Sequence, residues 1–240
     1  FRDVIVDAGQ AQRDLGVGLK QAAEATQALV MGTTNFVNMS KSAQKEMVQQ
    51  TAALARLGVD LGTASEMIQF FNLNLGQSQA QAIKTTQRIA MMGLQLGISA
   101  GQMSKDFQAA LPTLAVYGDR AVDVFEGLAT SAKAAGVQMG SLLSITAQFD
   151  TFAGAAEAAG KLNAILGTQL SATEMLLQTE DQRLETMIGT IQANGTAFKD
   201  MDRFTQKAVA AAAGITDMNE AQKIFGMNMG QYRTHRAEME

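Results

Sequence analysis

The sequence predicts an all-α fold: a compact array of about ten short helices in hairpin-like pairs, most of them roughly 10–18 residues long, with no sheet. Three observations predict it. Apolar residues make up 47% of the chain, enough for a folded core, yet aromatics are only 5% and tryptophan is absent. The interior must then be built from alanine, leucine, isoleucine and methionine, which favour helix while strand formers are thinly spread. A single proline, Pro112, leaves almost the whole chain free to be helical. Glycine, finally, punctuates the chain at regular steps. Gly58-Val59-Asp60-Leu61-Gly62, Gly97-Ile98-Ser99-Ala100-Gly101 and Gly136-Val137-Gln138-Met139-Gly140 share one pattern. Their first glycines are spaced by about 39 residues, a length typical of helical-pair repeats. In each, a glycine closes one helix, a hydrophobic residue folds back, and a new helix starts. The spacing breaks down after Gly140.

Residues 1–110 read as a glutamine-rich helical segment built of these glycine-punctuated hairpins, and residues 111–240 as a second helical domain. Helix starts are marked by Thr63 with Glu66, Ser99 with Gln102, Ser171 with Glu174 and Thr179 with Gln182, which fit the capping box. There a hydroxyl and a later side chain satisfy each other's exposed backbone donors. Pro112 places a break between a helix ending near Leu111 and the segment Leu114 to Tyr117. Asp119 starts a helix through Val122, Phe125, Ala129 and Ala132 that ends at Gly136. Asp150 or Thr151 caps the next, because a short side-chain oxygen accepts from the free N–H groups of the first turn. Phe152, Ala155, Ala156, Ala159, Leu162 and Leu166 then share one face at helical spacing, and Gly167 stops the helix. Such a face lets another backbone come very close. Asp200 or Met201 opens a helix through Phe204, Val209 and Ala213 to Gly214, and Asp217 leads into Ala221, Ile224 and Phe225.

The residues available for chemistry are few. There is no cysteine, which excludes disulfides, thiolate nucleophiles and cysteine metal sites. The one histidine, His235, has Tyr232, Arg233 and Arg236 as neighbours and reads as part of a solvated tail. Carboxylate pairs such as Asp200 with Asp202, or Glu180 with Asp181, sit where helices begin and answer the positive end of the helix dipole. No catalytic, cofactor-binding or metal-binding residues are assigned, and the chain is expected not to be an enzyme. A net charge of -4 argues against general nucleic-acid binding, which needs clustered Lys and Arg. The uncharged stretches Ile89 to Ser104 and Ala134 to Phe149 are shorter than the ~20 apolar residues of a membrane span, and are read as buried hairpin segments. Gly16-Val17-Gly18 begins like a dinucleotide fingerprint but lacks the preceding strand and the third glycine. Gly-x-x-x-Gly at Gly58/Gly62, Gly97/Gly101, Gly136/Gly140 and Gly226/Gly230 reads as close packing at helix crossings. The chain opens on Phe1 rather than methionine, which reads as a piece of something longer.

The segment FDTFAGAAEAAGKLNAILG (Phe149 to Gly167) is the most distinctive of the chain. Together with YGDRAVDVFEGLATSAKAAG (Tyr117 to Gly136) before it and DRFTQKAVAAAAGITDMNEAQKIFG (Asp202 to Gly226) after it, it resembles tail tape-measure proteins of large contractile-tailed bacteriophages. The likeness spans about half the chain, from roughly Leu111 to Gly226, in the same order, and makes residues 111–240 a tape-measure-like domain. Its family-like structural motif is Phe149, Asp150, Phe152, Ala155, Ala156, Ala159, Lys161, Leu162, Asn163 and Gly167.

The resemblance implies a structural virion protein that sets tail length, occupies the tail tube or baseplate hub, and leaves ahead of the DNA on ejection. It implies assembly in the host cytoplasm and partners that are other copies of the chain, three or six by the symmetry of tube and hub, with tail tube and baseplate hub proteins. No cofactor and no specific nucleic-acid binding are implied, and membrane contact only during ejection. Glycines that interrupt the helices every few turns make this portion a poor straight rod, so a compact terminal domain is expected. The alternatives are a non-enzymatic helical scaffold or adaptor, whose small-residue faces bind partner helices, and a membrane-active ejection segment.

Overall fold

Helix ends set the architecture. The computed structural model describes residues 2–11, 18–33 and 35–239, without the side chains of Ala11, Asp181, Gln231, His235 and Met239. Gly16 and Val17 of the dinucleotide-like motif lie outside the described residues, as does the side chain of His235. In chain order the helices are α1 (Arg2–Ala11), α2 (Leu19–Gly32), α3 (Lys41–Arg56), α4 (Leu61–Asn74), α5 (Gln79–Gln95), α6 (Ala100–Leu114) and α7 (Ala121–Ala135). They continue with α8 (Met139–Ala147), α9 (Phe152–Leu166), α10 (Ala172–Leu177), α11 (Glu180–Ala193), α12 (Arg203–Ala212), α13 (Met218–Gly226) and α14 (Met229–Met239). Short 3-10 turns lie at Phe36–Asn38, Ala115–Arg120 and Phe198–Asp200, and no strand occurs among the described residues. The chain divides into two compact units, Phe1–Val122 and Asp123–Glu240, with the boundary inside α7.

The repeated glycine motif is a helix stop of one kind. Gly58 is left-handed at φ 87°, and the next N–H, of Val59, reaches back to the Leu54 carbonyl at 3.2 Å. Gly97 does the same with Ile98 N–H on Gly93 (2.7 Å), and Gly136 with Val137 N–H on Ala132 (3.0 Å). This six-to-one bond satisfies a carbonyl that the helix end would otherwise orphan. A fourth copy stands at Gly214, where Ile215 N–H bonds Ala210 at 2.9 Å. Gly214 lies two of the same intervals beyond Gly136, so the spacing does resume after Gly140. The uncharged stretches at residues 89–104 and 134–149 each run through one of these turns, and no described helix is long and apolar enough to cross a membrane.

In the first unit, α1 packs on α2 and α3, α2 on α4, and α5 on α3, α4 and α6. Val59, folded back by the Gly58 turn, is buried in a cluster with Leu54, Ala64, Ala90 and Ala100. A Cβ on Gly101 would stand 2.1 Å from the Gly58 carbonyl oxygen, so the start of α6 rests directly on the turn before α4. Three of the other paired glycines do not serve helix crossings. A Cβ at Gly140 or Gly226 would meet nothing, and one at Gly62 only the carboxylate of Asp60. Three of the four Gly-x-x-x-Gly pairs thus begin on a left-handed turn glycine that precedes a helix start, and Gly101 needs its lack of a side chain for close approach.

Three expected boundaries shift. Asp60, not Thr63, caps α4, its carboxylate accepting from Thr63 N–H at 3.0 Å. Thr63 and Glu66 instead turn to α6: the Thr63 hydroxyl donates to Gln108 Oε1 at 3.0 Å, and Gln108 Nε2 donates to Glu66. Pro112 does not break a helix but lies inside the last turn of α6. Its missing N–H deletes one bond there, and the chain tightens into the 3-10 turn three residues later. Asp202, rather than Asp200 or Met201, caps α12, accepting from Phe204 N–H (2.9 Å) and Thr205 N–H (3.1 Å). Ser99, Ser171 and Thr179 cap α6, α10 and α11 as read, the last with its full box to Gln182.

Candidate functional site

The distinctive segment lies in the second unit as the last three residues of the bend that follows α8, then α9 and the glycine that stops it. Phe149 is fully buried. Thr151 is the cap, its hydroxyl oxygen accepting from Gly154 N–H at 3.1 Å. That frees Asp150 for another role. Its carboxylate, 28% exposed, accepts from Arg183 Nη1 at 3.0 Å, and the Arg183 side chain is only 7% exposed. The same guanidinium donates through Nε to the Met175 carbonyl at 2.8 Å and through Nη2 to that of Leu176 at 3.4 Å. One buried cation therefore ties together the α8–α9 bend, the C-terminal carbonyls of α10 and the first turns of α11. Arginine suits this because its planar fork offers several fixed donors at once, and the end of a helix offers carbonyls with partial negative charge.

The buried stripe of α9 is Ala155, Ala158, Ala159, Leu162 and Leu166, and α10 and α12 both pack against this helix. Two residues expected on that face are elsewhere. Ala156 is exposed, roughly 100° round the helix from the centre of the buried arc. Phe152 is 68% exposed although its angle is right. It is the first helical residue, and side chains on a helix lean toward the N-terminus, so its ring projects off the end of the packing surface. Lys161 is also on the surface and pairs with Glu157 at 2.5 Å. This hydrogen bond, and then the lysine charge, holds the Glu157 carboxyl below its usual range.

The far end of α9 is fastened by Asn163. Its Oδ1 accepts from Leu170 N–H at 2.6 Å and from the Thr168 hydroxyl at 3.0 Å, while its Nδ2 donates to the Leu170 carbonyl at 2.9 Å. Gly167, left-handed at φ 67°, makes the reversal that lets these bonds form. Phe149, Asp150, Ala155, Ala159, Leu162, Asn163 and Gly167 thus all fix the arrangement of neighbouring elements, and Phe152, Ala156 and Lys161 face outward.

No family model, curated protein or solved structure matches the chain.

Two open cavities lie near the Gly214 turn. One, of about 470 Å³, is lined by Gln148, Lys207, Ala211, Gly214, Thr216 and Met218. The other, of about 340 Å³, includes Gln138, Ser141, Ser144, Asp217 and Glu220. The two carboxylates there are engaged in holding the fold. The buried Glu220 carboxylate accepts from Gln138 N–H at 2.9 Å, just before α8, and pairs with Lys223 at 3.2 Å. Asp217 caps α13. Among the described residues no group of three or more His, Cys, Asp or Glu side chains is placed to hold a metal ion.

Arg183 is the residue that the sequence did not single out. It lies 33 positions from Asp150, and nothing local marks it apart from its place behind the Thr179 capping box. Leu177, 84% exposed, was missed as well. It follows the two carbonyls held by Arg183, while Phe152 follows the carboxylate, so two exposed apolar side chains border the clamp.

Proposed function

We propose that this chain is a structural part of a bacteriophage tail tape measure, resident in the tail tube or baseplate hub before DNA ejection and held there against other copies of itself and against tube and hub proteins. The observation that carries the reading is the use made of the distinctive segment. Its side chains are spent on caps, on the Asp150–Arg183 clamp, on the Asn163 loop and on an alanine stripe that admits close neighbours. The segments that share the family likeness form most of α7, and α9, α12 and α13, of the second unit. The longest helix, α5, has 17 residues, about 25 Å of rise. A portion built this way serves as a compact end domain and not as the rod whose length is measured.

The test is assembly. Phage particles carrying Asp150→Ala in this chain are counted and measured by electron microscopy. The proposal expects fewer complete tails, each of unaltered length. Tails in normal number but of changed length would contradict the end-domain role, and normal tails lacking the chain altogether would contradict the structural one.

A further inference from the structure

α14 is fastened to the second unit by little. Among its described side chains Tyr232 alone is buried, at 1% exposed. An ion pair supplements it, Arg233 Nη2 to Glu185 Oε2 of α11 at 2.9 Å, with the arginine side chain 65% exposed. A pair so open to water adds little. Two residues, Met227 and Asn228, separate α14 from α13. Met227 is extended, at φ -73° and ψ 146°, and its carbonyl accepts from Gln192 Nε2 of α11 at 2.6 Å. Asn228 opens α14, its carbonyl accepting from Tyr232 N–H at 2.9 Å.

The sequence on either side of this turn carries one helical pattern. Tyr232 follows the buried Ala221 by eleven positions and the buried Phe225 by seven. Those spacings bring all three onto one face of an unbroken helix. With Met227 and Asn228 at helical angles, α13 and α14 become one helix over residues 218–239, about 33 Å long. The carbonyls that end α13 then pair with the N–H donors that begin α14, groups without intrahelical partners while the turn is bent. The same movement sets Tyr232 about 10 Å beyond Phe225 along the axis, away from its own socket beside α11. That socket is matched by construction to the α14 of another copy. We propose that α14 is exchanged between copies of this chain: the Met227–Asn228 turn straightens, and α14 of each copy packs on α11 of the other. The exchanged helix remakes the burial of Tyr232 and the pair with Glu185, and the turn gains helix bonds. Short hinges favour this mode of association. The inference is independent of the tape-measure reading.

The chain has no cysteine, so two single-cysteine chains, Glu185→Cys and Arg233→Cys, are mixed in equal amounts, refolded together at high concentration and oxidised. Exchange sets the two thiols against each other in the mixed pair alone, so mixed disulfide dimers should exceed either like-with-like dimer at least about tenfold. Random collision of equal amounts gives about a twofold excess, and that result would overturn the proposal. Two hinge variants of the otherwise unaltered chain are compared by sedimentation after the same refolding. Met229→Pro suits the first position of α14 but clashes within a straight helix and deletes one of its bonds. It should lower the dimer fraction about tenfold while circular dichroism of the monomer is unchanged. Asn228→Ala favours helix through the turn and should raise that fraction severalfold. A dimer insensitive to Met229→Pro is a side-by-side contact, and a chain that stays monomeric both unaltered and as Asn228→Ala makes no exchange. Either outcome contradicts the proposal.

Discussion

Arg183 joins the α8–α9 bend, α10 and α11 through one side chain. It is a nearly buried cation whose attachment depends on one carboxylate and two backbone carbonyls. Removing the carboxylate strands the charge, which is worse than losing the pair. Asp150→Ala should therefore destabilise the second unit by about 2 kcal/mol, the partial exposure of Asp150 keeping the loss below that of a fully buried pair. Adding Arg183→Met should cost less than the two single losses combined, by about 1 kcal/mol. Urea unfolding of the four species measures both, and strict additivity would show that the two side chains are not coupled. Asp202 gives a pH-dependent counterpart. The Thr205 hydroxyl, at 2.5 Å, and then the backbone N–H groups of Thr205 and Phe204 hold its carboxyl below the usual aspartate range. Because the folded value is the lower one, the contribution of this cap is complete above the unfolded value and fades as pH falls through the folded one. Hydrogen exchange in the first turn of α12 should then rise on acidification across that window. In Asp202→Asn the acid-dependent rise should be lost.

At the scale of elements, much of this fold is written locally. The turns at Gly58, Gly97 and Gly136 were legible because a helix stop, a fold-back residue and a helix start are encoded within five consecutive positions. The same holds for Ser99, Ser171, Thr179 and Asp217, whose oxygens cap the helices that follow them. Three of the misreadings needed information from a second element. Thr63 looked like a cap until Gln108 of α6 claimed its hydroxyl and Asp60 took its N–H. Phe152 fitted the angular pattern of α9, but no neighbouring helix extends far enough to cover it. Arg183 meets Asp150 only once α9, α10 and α11 have packed. Gly101 carries the sharpest consequence of such packing. Gly101→Ala must push α6 away from the Gly58 turn and should cost about 1–3 kcal/mol, whereas Gly140→Ala, with open space around its Cβ, should be neutral or stabilising by up to about 1 kcal/mol. Thermal unfolding of the two variants compares them, and equal effects would mean that α6 does not rest on that turn.

At the scale of the molecule, two helical units are built from the same device, a left-handed glycine followed by a fold-back residue and a fresh helix start. Such a chain cannot act as a uniform ruler, since a fixed rise per residue requires an unbroken helix. It can act as a stop or anchor, where many short elements present surface in several directions. Exposed Phe152 and Leu177, beside a buried arginine clamp, and Phe204 at the start of α12 give the second unit apolar side chains with which to meet a neighbour. The proposed role is thus one of placement, as a folded domain at an end of the tail, among copies of itself. Cryo-electron microscopy of intact particles measures it most directly. The account predicts density for short stacked helices, matching α8 to α13, at the hub end of the tube and in several symmetry-related copies. A single uninterrupted helix running along the tail axis through these residues would contradict it.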